Sequence, residues 1–162
     1  MSDAIDVSTP TDEEVVVSRL FDASPQAVFD CHTKPDLVRR WLLGPPGWTM
    51  PVCEIDLRVG GAYRYVWRSE TGEREFGTGG AFTEVAAPTR WSHTERMDGA
   101  PGEATNLYIL TEEGGRTRLT MQMNFGSKAF RDMALKTGMT RGMDQSFDRL
   151  AAMLAEDAKA KG

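Results

Sequence analysis

Cysteine and histidine are scarce in this chain, with two of each: Cys31 and Cys53, His32 and His93. The cysteines form no CxxC pair and lie near no histidine cluster. A structural zinc site needs about four ligands, so no metal or cofactor is expected and both cysteines read as free, partly buried thiols. Long hydrophobic runs are also missing: no stretch approaches the ~18 apolar residues of a membrane span. Positive charge is in deficit, with a net charge of −5 and an isoelectric point near 5.1. That leaves no general cationic field to attract nucleic acid or anionic lipid, so neither is expected as a partner. Gly60-Gly61 lacks GxGxxG spacing, a Lys-Ser/Thr end and a following helix, which excludes a phosphate loop. The opening MSDAIDVSTPTDEE is acidic and polar, without the apolar centre of a signal peptide, and the expected location is cytoplasmic.

What remains is the composition of a soluble globular protein, 40% hydrophobic and 27% charged. At 162 residues it is long enough for one substantial core. We expect a single domain over residues 12–158, with a flexible leader over 1–11 and a flexible tail over 159–162. Val15 to Phe21, rich in β-branched residues, predicts a first strand. Ser24-Pro25 is an N-cap followed by the residue favoured at the first helical position, so a short helix starts there and turns Val28 and Phe29 inward. Lys34-Pro35-Asp36 starts a second, carrying Leu37, Val38 and Trp41 and ended by Gly44-Pro45-Pro46-Gly47.

Six strand-like runs follow. Cys53, Ile55 and Leu57 share one face, as do Tyr63, Tyr65 and Trp67, then Trp91, His93 and Glu95, then Leu119, Met121, Met123 and Phe125. Period-two alternation of this kind gives a sheet with one wet and one covered face. Gly77, Gly79 and Gly80 predict a bulge or bend in the third of these runs. From Ser127, a helix cap, to Glu156 the spacing predicts one long helix. Met139, Met143, Phe147, Leu150 and Leu154 form its apolar stripe, Arg141, Asp144, Asp148 and Arg149 its solvated face, and Gly138 and Gly142 a bend. Strands in succession followed by a helix indicate an α+β domain, with a cavity expected between a curled sheet and the helix.

Ser24-Pro25-Gln26-Ala27-Val28-Phe29, Trp41-Leu42-Leu43-Gly44-Pro45, the run Glu54 to Gly61, Pro88-Thr89-Arg90-Trp91, Thr117-Arg118-Leu119-Thr120 and the stretch Gly138 to Leu150 together resemble one family. It is the activator of heat-shock-protein-90 ATPase homologue group of the START-like (SRPBCC) superfamily, which includes polyketide cyclases and birch-pollen-allergen-like proteins. The similarity covers about Val15 to Ala155. It implies a helix-grip fold, a curved seven-stranded antiparallel sheet around the C-terminal helix. Function varies within the family from a co-chaperone domain to small-molecule binders. Two departures stand out: a common pair of aromatics is Trp41-Leu42 here, and His93 replaces an aromatic on an inward strand face.

The candidate ligand wall is aromatic and methionine-rich: Trp41, Trp48, Tyr63, Tyr65, Trp67, Trp91, His93, Tyr108, Met121, Met139 and Met143. Such surfaces suit planar or apolar molecules, and methionine adapts to irregular ones, although a plain core uses the same residues. His93 and Glu95 emerge on one strand face about 7 Å apart and are the candidates for acid–base chemistry. Against this stands a histidine bonded within the core beside a rim carboxylate. Cys31 and His32, adjacent on a helix, diverge, and read as a buried thiol and a rim imidazole. Trp41, Pro45, Pro46 and Trp48 are expected to border the cavity mouth or a dimer surface. The leading expectation is a binder of a small apolar or aromatic molecule; the alternatives are a cyclase- or hydrolase-like enzyme and a protein-interaction module.

Overall fold

The computed structural model of the protein describes residues 4–161; residues 1–3 of the expected leader and Gly162 of the expected tail lie outside the described residues. Strand β1 (Asp6–Ser8) is followed by β2 (Glu14–Phe21), α1 (Pro25–Thr33), α2 (Pro35–Trp41) and β3 (Trp48–Ile55). Next come β4 (Ala62–Ser69), β5 (Glu75–Ala86), β6 (Arg90–Met97), β7 (Ala104–Glu113) and β8 (Arg116–Asn124). Helices α3 (Lys128–Lys136) and α4 (Met139–Lys161) close the chain. All pairings are antiparallel, in the order β1-β2-β8-β7-β6-β5-β4-β3. The α+β helix-grip class holds, but with eight strands rather than seven.

The additional strand lies inside the expected leader. Val7 pairs with Val17, and β1 covers the edge of β2 that faces away from β8. An uncovered edge strand leaves a row of unpaired N–H and C=O groups, so three residues pair there without an apolar pattern of their own, beside Ile5, which packs on the core and donates its N–H to Asp144 Oδ1 at 3.4 Å. At the other end α4 continues to Lys161, beyond residue 158.

Local signals account for most boundaries. Ser24 Oγ accepts from Ala27 N at 3.2 Å ahead of Pro25, and Ser127 Oγ accepts from Phe130 N at 3.1 Å. Each satisfies an amide that a helix start leaves without a partner. The hairpin β7–β8 closes on Glu113 opposite Arg116, with Gly114-Gly115 as its two-residue loop. The predicted long helix is two. Gly138 has φ +81°, a left-handed conformation that ends α3, whereas Gly142 lies within α4 and causes no break.

The core lies between the sheet and α4. Phe147, Leu150, Met153 and Leu154 are buried with Val15, Val17 and Phe21 of β2, Leu119 of β8 and Val28 and Phe29 of α1. Burying each large side chain is worth about 1.5–3 kcal/mol, which makes this stripe the main support of the helix. One charge joins it. Arg19 sits in the inward series of β2 at 3% exposure, donating Nη1 to the Phe147 carbonyl and pairing with Asp148 at 3.3 Å.

Candidate functional site

Toward the Met139 end of α4 the packing opens into a cavity of about 430 Å³. Its floor is made where α1 and α2 meet the sheet. Trp41, at the end of α2, is 2% exposed and stacks on Phe147 with centroids 5.9 Å apart. Its indole N–H donates to the Cys31 carbonyl at 2.8 Å. That carbonyl would look for the amide four residues on, and Pro35 has none.

The end of α2 is also held by α4: Ser146 Oγ accepts from Gly44 N at 2.8 Å, and Arg149 donates to the carbonyls of Trp41 and Gly44 at 2.9 and 3.0 Å. Arg149, expected on the solvated face, instead reaches back to cap α2, where a cation favours the carbonyl-bearing helix end.

Alternation along β4, β6, β7 and β8 supplies the walls. Tyr65 and Trp67, Trp91, His93 and Glu95, Tyr108, and Met121 all line the cavity, and Met139 and Met143 face it from α4. Trp91 and Tyr108 are cross-strand partners and stack at 4.9 Å and 3°. The opening is marked by exposed residues: Met97 at the end of β6, Ala100, Pro101 and Gly102 after it, Met133 of α3 and Thr137 at its C-cap.

Two expected wall residues are elsewhere. Trp48 packs on Phe76 at 5.3 Å, under the Arg74 guanidinium. It is the first residue of β3, an edge strand of the sheet, and its expected place at the cavity mouth rested on the neighbouring prolines and not on strand alternation. Tyr63 lies behind the wall, among Tyr65, Phe82 and His93, and its hydroxyl donates to the Thr94 carbonyl at 2.7 Å. The expected mouth at Trp41, Pro45, Pro46 and Trp48 is therefore corrected: Trp41 is deep in the floor, and the opening is between α3 and the segment after β6.

His32 was missed as a wall residue. It lies one turn after Val28 and three residues after Phe29, so it shares their inward face, and it lines the cavity between Trp41, Trp91 and Tyr108 at ring distances of 4.8, 5.5 and 5.9 Å. Its Nδ1 meets the Val28 carbonyl at 2.8 Å, while His93 Nδ1 meets the Thr94 carbonyl at 3.0 Å. A carbonyl only accepts, so both rings carry their proton on Nδ1 and offer a bare lone pair at Nε2. Asn106, 1% exposed in the inward series of β7, donates to Glu95 at 3.2 Å and leaves its own Oδ1 buried without a partner.

His93 and Glu95 thus face one cavity without bonding one another, since each is committed to a different neighbour. Burial lowers both histidines from the ordinary 6.5 to about 4, and it raises the Glu95 carboxyl, against a smaller opposing pull from Asn106. A histidine held near 4 in the folded state and near 6.5 when unfolded binds fewer protons folded than unfolded between those values. Stability therefore falls as pH drops through that window. Glu95 acts oppositely, contributing stability below its unfolded value that is lost as pH rises through its folded one. With two histidines against one carboxyl, the urea midpoint is expected to fall from pH 6.5 toward 4. His93→Gln should make the decline shallower by on the order of 1 kcal/mol per pH unit. An unchanged slope in that variant would contradict a neutral His93.

Among the described residues no group of three or more metal-ligating side chains converges, and no helix is long and apolar enough to cross a membrane. Over residues 22–155 the chain matches the model of the family described as Activator of Hsp90 ATPase homolog 1-like protein. A solved structure from Rhodobacter sphaeroides is similar at 28% identity and a TM-score of 0.90, covering 95% of this chain and 99% of that one. A Chromobacterium violaceum protein is similar at 25% identity and 0.77, covering 89% and 98%. The AHSA1 protein from Silicibacter pomeroyi, at 24% identity and 0.72, covers 89% and 99% and shares the fold. No curated protein sequence matches the chain.

Proposed function

The chain belongs to the Activator of Hsp90 ATPase homolog 1-like family, and on that footing we propose that it binds a small apolar or aromatic molecule between sheet and C-terminal helix. One observation carries this reading: the cavity of about 430 Å³ is walled by aromatic and methionine side chains. That volume lies within the ~300–1,000 Å³ range of small-molecule sites, and a few polar groups in an apolar wall are what such sites use to orient a ligand. The acid–base alternative is weaker, because His93 has its Nδ1 on a backbone carbonyl rather than on Glu95 and is a poor proton acceptor near neutrality.

Native mass spectrometry of protein from its own host, with a titration by the neutral fluorophore phenylnaphthylamine, tests the reading. Saturable binding of one probe per chain is expected. Met143→Trp, which fills the cavity from its partly buried position on α4, should weaken it about tenfold or more. Absence of both a retained mass and saturable probe binding would sink the proposal.

A further inference from the structure

The cavity has a chemical bias that its apolar wall conceals. Its lining includes no lysine or arginine, so an anionic ligand would be buried there without a counter-charge. Beside hydroxyls that donate or accept, those of Tyr65, Tyr108, Ser146 and Thr137, it offers imidazole nitrogen that only accepts. His32 and His93 flank Tyr108, at ring distances of 5.9 and 5.4 Å, and each has its Nδ1 proton committed to a backbone carbonyl. Among the described residues nothing donates to either Nε2; that of His32 is enclosed by protein, whereas that of His93 stays accessible from the cavity that His93 lines. An acceptor that a guest desolvates without supplying a donor costs about 1–3 kcal/mol, so a guest that donates to His93 is favoured over one that cannot.

Resting on the binding reading above, we propose that the natural ligand is an uncharged aromatic or alicyclic molecule bearing a hydroxyl or N–H group, which it donates to Nε2 of His93. A charged donor is less suited than a neutral one. The histidines are neutral above about pH 5, and Glu95, the single acidic group on the wall, has its carboxyl raised by burial. Tyr108 adds a phenol, likewise held neutral by burial, that donates or accepts as the ligand requires. Ligands with acceptors alone leave the His93 lone pair unmet.

A matched naphthyl series separates the possibilities: naphthalene, naphthol, methoxynaphthalene, naphthoic acid and naphthylmethylamine, each titrated by calorimetry. Naphthol should bind about five- to tenfold tighter than methoxynaphthalene, the range one neutral hydrogen bond supports, and naphthoate most weakly. In His93→Phe the naphthol-to-methoxynaphthalene ratio should fall toward one. Nitrogen NMR of the intact protein gives a second readout that needs no variant: naphthol, and not methoxynaphthalene, should shift an Nε2 resonance. Equal binding of naphthol and methoxynaphthalene would overturn the donor preference while leaving the cavity reading in place. Tightest binding by the acid or the amine would overturn it as well, the amine pointing to Glu95. If no member binds, naphthalene included, the cavity reading fails and this inference with it.

Discussion

Trp41→Ala is expected to lower stability by about 3–5 kcal/mol, the range for deleting a large aromatic from a packed interior. For a chain of this size that lowers the melting temperature by about 10 °C or more. The effect has three parts: the stack on Phe147 of α4, the edge contact with His32 at 4.8 Å, and the indole donor that stands where the amide Pro35 lacks would be. Trp41→Phe isolates the third, because it keeps a ring and removes the N–H that meets the Cys31 carbonyl, at about 1 kcal/mol. Urea denaturation with the slope held constant checks both. A loss below about 1 kcal/mol in the alanine variant would mean that the floor is not anchored through this residue.

The second large effect is expected at Gly80. A Cβ placed there would lie 2.0 Å from the Thr94 carbonyl oxygen, a backbone atom with no flexible end to yield. The approach is close because Thr94 uses its side chain in the ladder: Ala81 N donates to Thr94 Oγ1 at 3.1 Å, and the carbonyl accepts instead from the Tyr63 hydroxyl and His93 Nδ1. Gly80→Ala forces that carbonyl aside and loosens both groups. About 3 kcal/mol of destabilisation is expected, at the upper end for overpacking. The loss should be accompanied by a rise of the His93 pKa toward its ordinary value, read by NMR titration, as the imidazole gains freedom to meet water. A variant that folds with wild-type stability and an unmoved His93 would refute this account of the close approach.

The same residues show what the sequence makes legible. Caps and breakers act within a few residues, so Ser24, Pro25, Ser127 and the glycine–proline run after Trp41 could be read directly. Alternation identified the inward faces of β4, β6 and β8. It does not measure depth, which is why Tyr63 was grouped with Tyr65 although it packs behind it. The glycine cluster of β5 pointed to an irregularity, but the register shift with β6 lies between Phe82 and Glu84, beyond it. Trp48 follows a proline-rich turn whose direction its composition does not specify, and it packs on Phe76 instead. The three side chains of strand β1 are all exposed, which leaves no periodic signature. Arg149 shows another limit: a helical wheel gives the direction of a side chain and not its reach. His32 was legible in principle, since spacing from Val28 and Phe29 placed it inward.

The left-handed residue at Gly138 divides the C-terminal segment into two parts under different mechanical demands. Core burial concentrates beyond it, at Phe147, Leu150 and Leu154, whereas α3 carries the exposed Met133 at the cavity rim and is tied mainly through Phe130 on Phe125 and Arg131 on the Thr11 carbonyl. In one continuous rod, displacing the rim would lever the core with it. Here the left-handed residue interrupts the rod, and Phe130, Ala134 and Leu135 of α3 reach the core of α4 through side chains alone. A strain imposed on one helix is therefore passed to the other by packing and not along an unbroken ladder of backbone hydrogen bonds.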